Sequence, residues 1–407
     1  MSIEAETHTE AVETSRRLSS TVVALGFVSL FMDMSTEMAY TQIPRFLTLV
    51  LGVPASIVGL IEGLAESAAS LFRLVSGYLS DRSGRRKPLT VFGYGSSALA
   101  KPLMALVTLW PFALLLRLID RLGKGIRTAP RDALITEATP IALRGRAFGL
   151  HRAMDTIGAV VGPLLGILIL KAIRGDLSHQ LRALFLFAGI PGLLAVLTLL
   201  LFVHEKRDSA PKKPATALPL PKWSELSPLY RRFLVIVFLF NLGNFSDAFL
   251  LLRAQGVGYT ATGVMALYAL FNVVEALLDY NIGILGDRIG RRPLVIAGYL
   301  VFAVVYLGVG LAPSKLVLAV FFIIYGLYYA LTQGVQRAFA ADFSDPTKLA
   351  TQIGAYHMVV GIALLPASLI AGALYQYRPF LPFILGALLA SLSALLLARL
   401  PSPNTNG

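Results

Sequence analysis

Long apolar runs, separated by short polar stretches, follow one another along almost the whole chain. A helix needs about 20 apolar residues to cross a membrane, so each run is long enough to form one span. The pattern therefore predicts twelve transmembrane helices. Their predicted limits are 20–48, 55–79, 88–108, 110–136, 147–171, 183–203, 230–252, 258–282, 293–312, 315–340, 350–374 and 380–399.

One longer polar segment divides the twelve predicted helices into two sets of six. Residues 204–229 are rich in Pro and Lys, which is typical of a solvated linker. We expect a tail over 1–19, a first bundle over 20–203, this linker, a second bundle over 230–399, and a short tail over 400–407.

A short motif occurs twice and relates the two sets of helices. GYLSDRSGRRKPL runs from Gly77 to Leu89, and GILGDRIGRRPL runs from Gly283 to Leu294. Each copy lies between two long apolar runs and keeps a Gly, an Asp-Arg pair and a Gly-Arg-Arg step at matching spacing. The repeat indicates that the chain consists of two related halves.

Both copies resemble the loop signature of the major facilitator superfamily, and the likeness extends from the first span to the twelfth. The resemblance implies an all-α membrane protein in which two pseudo-symmetric six-helix bundles hold a solute between them near mid-membrane. It also implies a monomer and a cytoplasmic latch that opens and closes during transport. The residues expected in this latch are Gly77, Asp81, Arg82, Gly84, Arg85 and Arg86, with Asp287, Arg288, Arg291 and Arg292 in the second half.

The fourth and fifth spans carry two further motifs of the superfamily. Arg121 and Gly125 match its fourth-helix pattern, whereas Lys124 stands where a Gln is usual. The run GAVVGPLLG resembles the fifth-helix signature of the exporting, antiporter branches. It places Gly158, Gly162, Pro163 and Gly166 on one helix. Any glycine-rich membrane helix can pack closely in this way, so helix packing alone is an alternative explanation.

Composition and charge agree with a membrane protein. Hydrophobic residues make up 56% of the chain and charged residues only 14%, and the formal net charge is +13. The Lys and Arg residues cluster in loops between apolar runs rather than along one soluble face, which argues against nucleic-acid binding. Their bias towards one set of loops predicts that both termini are cytoplasmic, and we expect a bacterial inner membrane.

Ionisable residues inside the spans are the candidates for coupling. Each costs about 3 kcal/mol at a helix centre, so each needs a partner or a wet cavity. Four carboxylates occupy the first two spans at a spacing of four residues. They are Asp33, Glu37, Glu62 and Glu66. The fourth span carries a cationic stripe formed by Arg117, Arg121, Lys124, Arg127 and Arg131.

These opposite charges have two explanations. They can neutralise one another in a buried network, which is the usual condition for charge in a low dielectric. Alternatively, one of the four carboxylates lacks a full partner and carries the coupling proton.

Polar side chains of several spans are candidates to line the solute cavity. They share helix faces and combine aromatic and amide groups, as expected for an amphiphilic organic solute. The candidates are Tyr40, Arg117, Arg121, Lys124, Asn241, Asn244, Asn272, Glu275, Asp279, Tyr325, Tyr329, Gln333 and Gln336. Tyrosines are also common as interfacial anchors, which is the alternative for Tyr325 and Tyr329.

No motif indicates a cofactor or an enzyme. The chain has no cysteine, its five histidines show no metal-binding spacing, and no phosphate-binding loop of the P-loop type occurs. We expect no metal site, and a proton gradient as the energy source.

The sequence predicts a secondary transporter that exports a small organic molecule in exchange for protons, with solute, protons and the bilayer as its partners. Two alternatives stay open. One is an uptake symporter or exchanger of an anionic solute that uses Arg117, Arg121 and Lys124. The other is a non-transporting receptor or assembly subunit.

Overall fold

The computed structural model describes residues 18–205, 223–343 and 349–401. Most of the predicted tails and most of the predicted linker lie outside these residues. Within them the chain is helical throughout, with turns and short irregular links between the helices.

The first half contains six spans. They are α1 (Ser20–Tyr40), α2 (Ala55–Ser83), α3 (Arg86–Leu103), α4 (Trp110–Glu137), α5 (Arg144–Ala172) and α6 (Leu177–Phe202). A short turn, Ile43–Arg45, and a π-helical segment, Phe46–Val50, extend α1 beyond Tyr40.

The second half repeats the order, with one interruption. Its helices are α7a (Pro228–Gly243), α7b (Ala248–Gly256), α8 (Ala261–Ile289), α9 (Arg291–Leu311), α10 (Lys315–Asp342), α11 (Leu349–Tyr377) and α12 (Leu381–Arg399).

The seventh span is broken where the apolar pattern predicts one helix over 230–252. The break covers Asn244 to Asp247, and Asn244 leaves helical geometry with φ −95° and ψ 71°. Short polar side chains such as those of Asn, Ser and Asp hydrogen-bond nearby backbone groups and so compete with the helix. Ser246 does so here, accepting a hydrogen bond from the Ala248 N–H at 3.3 Å. The apolar pattern of the sequence does not reveal the break because the residues on both sides of it are strongly apolar.

Charge separates two of the twelve spans from the others. Ten segments of the described chain are long and apolar enough to cross a membrane, and α3 and α4 are not among them. In α4 the charged side chains of Arg117, Asp120 and Arg121 are buried against the protein. The span can lie in a bilayer because these charged side chains face other helices of the protein and not the lipid.

The halves meet along two pairs of helices. The helix α2 packs against α11, and α5 packs against α8. These pairs are equivalent under the repeat, because α2 corresponds to α8 and α5 to α11. Within the first half, Gly158 and Gly162 bring α5 against the backbone of α1, where a Cβ at Gly162 would lie 2.5 Å from the Met34 carbonyl. Two glycines of the fifth-span motif thus lie at a close helix contact.

The duplicated loops adopt related structures, but with a shift of one residue. Arg86 begins α3 and ion-pairs with Glu137, whereas Arg291 begins α9 and ion-pairs with Asp342. The side chain of Lys87 reaches the Leu200 carbonyl at the end of α6.

The second half repeats this last contact, since Arg292 donates to the Leu397 carbonyl at the end of α12. Structurally, Arg86 therefore corresponds to Arg291, although the motif alignment pairs Arg85 with Arg291. The first loop contains one residue more before its helix.

The contact between α3 and α4 depends on the absence of a side chain at Gly93. A Cβ there would lie 2.6 Å from the Gly123 carbonyl oxygen and 2.9 Å from the Arg127 nitrogen. We expect Gly93→Ala to destabilise the protein by about 1–3 kcal/mol through overpacking, measured as a lower Tm of the purified protein in detergent. Gly95→Ala, two residues along the same helix, is the matched control because no atom lies within 4 Å of its Cβ position. Equal Tm values for the two variants would contradict this account of the interface.

Candidate functional site

A cavity of about 660 Å³ lies between the two halves. Helices of both halves contribute to its wall, chiefly with polar and charged side chains. Its lining includes Ser29, Asp33, Glu37, Tyr40, Glu66, Arg73, Arg121, Lys124, Arg127, Arg131, Asp132, His151, Arg152, Asp155, Asn244, Ser246, Asp247, Tyr268, Phe271, Asn272, Glu275, Tyr329, Gln333 and Arg337.

The cavity reaches the end of the bundle that carries the two duplicated loops, which we call the basic side. Asp132 near the end of α4, His151 near the start of α5 and Arg337 near the end of α10 all line it. These residues lie within about two turns of helix termini on that side. The cavity therefore extends from the middle of the bundle towards the basic side.

Hydrogen bonds between the halves close the opposite end. Gln42 donates to the Ala261 carbonyl at 3.1 Å, and Arg45 donates to the Tyr259 carbonyl at 2.6 Å. Deeper in the bundle, the Tyr40 hydroxyl lies 3.4 Å from the Ser246 hydroxyl at the break in the seventh span. The structure is thus open on the basic side and closed on the other.

A buried ion-pair network joins α2, α3 and α4. Arg117 binds both carboxylate oxygens of Glu62, at 2.9 and 2.7 Å, and also contacts Asp120 at 3.2 Å. Lys101 contacts the other oxygen of Asp120 at 3.3 Å. Glu62 is fully buried and Arg117 is 2% exposed. Such charges are tolerated in the interior because each has a partner of opposite sign.

A second set of pairs occupies the cavity wall. Arg121 contacts Glu66 at 3.0 Å, and Arg131 contacts the neighbouring Asp132 at 2.7 Å. Lys124 lies close to Arg121, which repels it, and among carboxylates, of which Glu66 and Asp33 attract it most strongly. In the described chain it makes no ion pair within 4 Å.

Two of the four predicted coupling carboxylates differ from the other two. Glu62 and Glu66 are each paired with an arginine. Asp33 and Glu37 line the cavity, and within the described ranges neither forms an ion pair within 4 Å. One oxygen of Glu37 is buried with no hydrogen-bond partner.

Eight of the thirteen predicted cavity residues line the cavity. They are Tyr40, Arg121, Lys124, Asn244, Asn272, Glu275, Tyr329 and Gln333. The other five, which are Arg117, Asn241, Asp279, Tyr325 and Gln336, lie outside the lining.

Besides Asp279, which contacts Arg152 at 3.6 Å, three of these five have partners that explain their position. Arg117 is held in the ion-pair network, Asn241 donates to the Val237 carbonyl at 2.8 Å, and Tyr325 donates to Asp247 at 2.7 Å.

Several charged residues that line the cavity lie outside the predicted coupling and cavity residues, and three of them connect helices of the bundle. Asp247, at the break in the seventh span, accepts hydrogen bonds from Tyr325 and from Tyr329, the latter at 2.8 Å. Asp155 accepts a hydrogen bond from Ser29. The third is Arg152, on α5. An indication for Asp247 was present in the polar run Asn244–Asp247 within an otherwise apolar span.

Arg152 connects the halves across the cavity. From α5 it contacts Glu275 at 2.9 Å and Asp279 at 3.6 Å, both on α8, and it donates to Gln333 on α10 at 3.3 Å. Glu275 therefore lines the cavity, as the sequence predicts, and is engaged there by a cation from the other half.

The predicted latch residues lie at the open end. Asp81 is 66% exposed, and its nearest cation is Arg86 at 3.9 Å. Gly84 ends α2 in the left-handed conformation, with φ 61°, which favours glycine. The side chain of Asp287 lies outside the described residues. The latch hypothesis concerns a conformation closed on the basic side, whereas here that side is open.

No group of three or more His, Cys, Asp or Glu side chains in the described part of the chain is arranged to hold a metal ion. The groups that line the site are charged side chains, hydrogen-bonding side chains and aromatic rings.

Twelve helices in two related halves around a charged central cavity define a multi-pass membrane transporter. The family model of the Major Facilitator Superfamily matches residues 25–278 and 233–407, and the chain belongs to this superfamily. It is a secondary transporter of small solutes and not an enzyme. The predicted all-α fold with two six-helix bundles is confirmed.

Three comparisons illustrate the relationship. An uncharacterized MFS-type transporter of Methanocaldococcus jannaschii is 38% identical over 95% of this chain and 96% of its own length. The multidrug resistance protein MdtH of Aeromonas hydrophila is 24% identical over 92% of this chain and 93% of its own. The solved nucleoside transporter NupG has a TM-score of 0.79 at 14% identity, covering 93% and 99% of the two chains.

The pairing of Glu62 with Arg117 gives a stability prediction. Glu62→Leu leaves a buried guanidinium without its main partner, and we expect a loss of about 3–5 kcal/mol, seen as a lower Tm in detergent. The double variant Glu62→Leu/Arg117→Met removes both charges and should recover most of that loss, since Lys101 still pairs with Asp120. A double variant as unstable as the single one would show that the ion pair is not the cause.

Proposed function

We propose that this protein exports a small organic molecule in exchange for protons, by alternating access of the central cavity. One observation carries the proposal: the cavity contains two carboxylates, Asp33 and Glu37, that lack the arginine partners of Glu62 and Glu66. Burying a charged carboxylate without a partner is far more costly than burying its protonated form. These two side chains are therefore the proposed proton carriers.

Lys124 supplies the competition that exchange requires. It stands among Asp33, Glu37 and Glu66 without a close ion pair in the described chain, so its charge can favour ionised neighbours without fixing any of them. A solute that enters the same space changes this balance and displaces the proton. Reciprocal coupling between two ligands of one cavity is the thermodynamic basis of antiport.

The loops support an orientation for the cycle. The basic side carries Arg82, Arg85 and Arg86, with Arg288 and Arg291 in the second half. Loops with an excess of Lys and Arg lie on the cytoplasmic side of a membrane. The proposed orientation therefore places the basic side and both termini in the cytoplasm, and the proposed location is a bacterial inner membrane. The open cavity would then face the cytoplasm, from which an exported solute is taken.

The nature of the cavity wall supports an amphiphilic organic solute. Tyr40 and Tyr268 contact edge to face across the halves, with ring centroids 6.1 Å apart, and Phe271 lies beside Tyr329 at 5.0 Å. Rings next to amides and charges suit solutes with an apolar body and a polar end. The similarity to a multidrug resistance protein points in the same direction.

The alternative of anion uptake through Arg117, Arg121 and Lys124 receives less support. Arg117 and Arg121 are occupied by Glu62 and Glu66, at 2.7 and 3.0 Å. Of these three cations, only Lys124 lacks a close carboxylate partner within the described residues. A receptor or assembly role would appear in the experiments below as solute binding without transport.

The coupling proposal is tested with Asp33→Asn and Glu37→Gln in inside-out vesicles. Solute-triggered proton release from the acidified lumen, followed with a pH-sensitive dye, should disappear in at least one variant. The pH dependence of solute affinity, about tenfold or more for coupled sites, should disappear with it. Candidate solutes are organic cations, neutral amphiphiles, organic anions and divalent metals.

Two controls separate coupling from folding. Asp176→Asn makes the same chemical change at the N-terminal cap of α6, where Asn caps as well as Asp. Solute counterflow without a gradient should survive in the coupling variants. Undiminished proton release in Asp33→Asn, Glu37→Gln and their combination would refute the assignment of the proton carriers.

The latch proposal gives a kinetic prediction. Asp81 is exposed here and its one ion pair, with Arg86, is long at 3.9 Å, so neutralising it removes only a weak contact of this open state and acts chiefly when the basic side closes. We expect Asp81→Asn to slow transport turnover several-fold while solute affinity stays unchanged, measured by initial rates and equilibrium binding. Wild-type turnover at equal expression would refute a latch at this residue.

A further inference from the structure

Two arginines at the open end of the cavity have no carboxylate partner. Arg73 comes from α2 in the first half and Arg337 from α10 in the second, and both line the cavity. Within the described ranges, neither lies within 4 Å of an Asp or Glu side chain. This distinguishes them from Arg121, Arg131 and Arg152, which line the same cavity and are paired. Arg127 also lines the cavity without a carboxylate within 4 Å in the described chain, but it donates to the Ser97 hydroxyl at 2.7 Å.

The carboxylates nearest to Arg73 are already engaged. Asp132 and Glu66 exert the main attraction on it. Asp132 binds Arg131 at 2.7 Å, and Glu66 binds Arg121 at 3.0 Å. The Nε of Arg73 is buried and has no hydrogen-bond acceptor. A buried donor left without an acceptor destabilises the protein, and it does so more strongly when it is charged.

Apart from Asp132 and Glu66, the main electrostatic influences on Arg73 are positive. Arg337 and Arg131 both repel Arg73 electrostatically. His357 and Tyr356 of α11 lie close enough to be influenced by both Arg73 and Arg337. Ser70 of α2 holds this part of α11 by donating to the His357 carbonyl at 3.1 Å. No described protein group therefore supplies an acceptor to the buried Nε of Arg73.

We infer that Arg73 and Arg337 bind the anionic group of the transported solute, a carboxylate or a phosphate monoester. This assignment rests on the proposed transport function and names its substrate class. A guanidinium presents its N–H donors in a planar fork that matches the oxygens of a carboxylate or phosphate. The apolar body of the solute would then extend inward, towards Tyr268, Phe271 and Tyr329. The predicted substrate is an organic acid with an aromatic or apolar body.

The position of the site links binding to closure. Because the two cations belong to opposite halves, they resist approach of the halves on the basic side as long as no anion lies between them. A bound anion replaces this repulsion with attraction from both sides. The loaded protein can then close on the basic side more readily than the empty one.

The test measures anion-dependent thermal stability of the purified full-length protein in phosphatidylcholine nanodiscs. A ligand that binds only the folded state raises Tm with concentration. The probes are 2-naphthoate and naphthyl phosphate, with 2-naphthamide as the uncharged analogue and chloride at equal ionic strength as the reference. We expect both anions to raise Tm of the wild type, and the amide to have little effect.

Arg73→Gln and Arg337→Gln should each weaken the apparent affinity for the anions about tenfold, because a charge-assisted pair of hydrogen bonds is lost. Arg73→Lys should be intermediate, because it keeps the charge and loses the fork. Arg399→Gln, the same change at an exposed residue at the end of α12, should match the wild type. The amide response and the anion-free Tm identify any variant that fails to fold.

Three results would overturn the inference: no anion-specific shift in the wild type, equal shifts in wild type and both Gln variants, or an equally strong response to inorganic phosphate. A response that appears only in phosphatidylglycerol nanodiscs would assign the arginines to lipid headgroups and would overturn it too. The measurement uses no gradient, so failure of proton coupling in Asp33→Asn or Glu37→Gln leaves its outcome unaffected.

Discussion

The high free-energy cost of charge in a low-dielectric interior determines how this protein is built. The helix α4 carries too many charged side chains for a span that faces lipid. It is stable in the membrane because α2 and α3 supply partners of opposite charge. The bidentate contact of Arg117 with Glu62 is the most buried of these pairs. It fixes the rotation of α4 against α2, and this rotation in turn places Arg121 and Lys124 on the cavity wall. The transport site therefore rests on the same charge balance that holds the first half together.

The spans could be predicted from the sequence because their signal is strong and local. Apolar runs of sufficient length predict helices regardless of their partners, and the duplicated loops indicated the two halves. The break at Asn244–Asp247 escaped prediction because three polar residues, Asn244, Ser246 and Asp247, do not outweigh the apolar flanks in a window of about 20 residues. The one-residue shift between the loops also escaped, since letters alone align Arg85 with Arg291, whereas the helix starts align Arg86 with it.

The site was less accessible to sequence reasoning, for a physical reason. Helical periodicity places Asp33 and Glu37 on one face and Glu62 and Glu66 on another, but pairing depends on how neighbouring helices are rotated. Only the packed structure distinguishes the two carboxylates that face arginines from the two that do not. The same applies to Arg73 and Arg337. Their lack of carboxylate partners depends on how α2, α10 and α11, which come from both halves, pack together.

The seal on the closed side has an asymmetry with an evolutionary consequence. Gln42 and Arg45 of the first half contribute side-chain donors, whereas Ala261 and Tyr259 of the second half contribute main-chain carbonyls. Every amino acid supplies such a carbonyl, so the accepting half can vary at these positions without losing the bonds. The strength of this seal therefore depends on the side chains of the first half, Gln42 and Arg45. Substitutions at Ala261 and Tyr259 in the second half leave the accepting carbonyls in place.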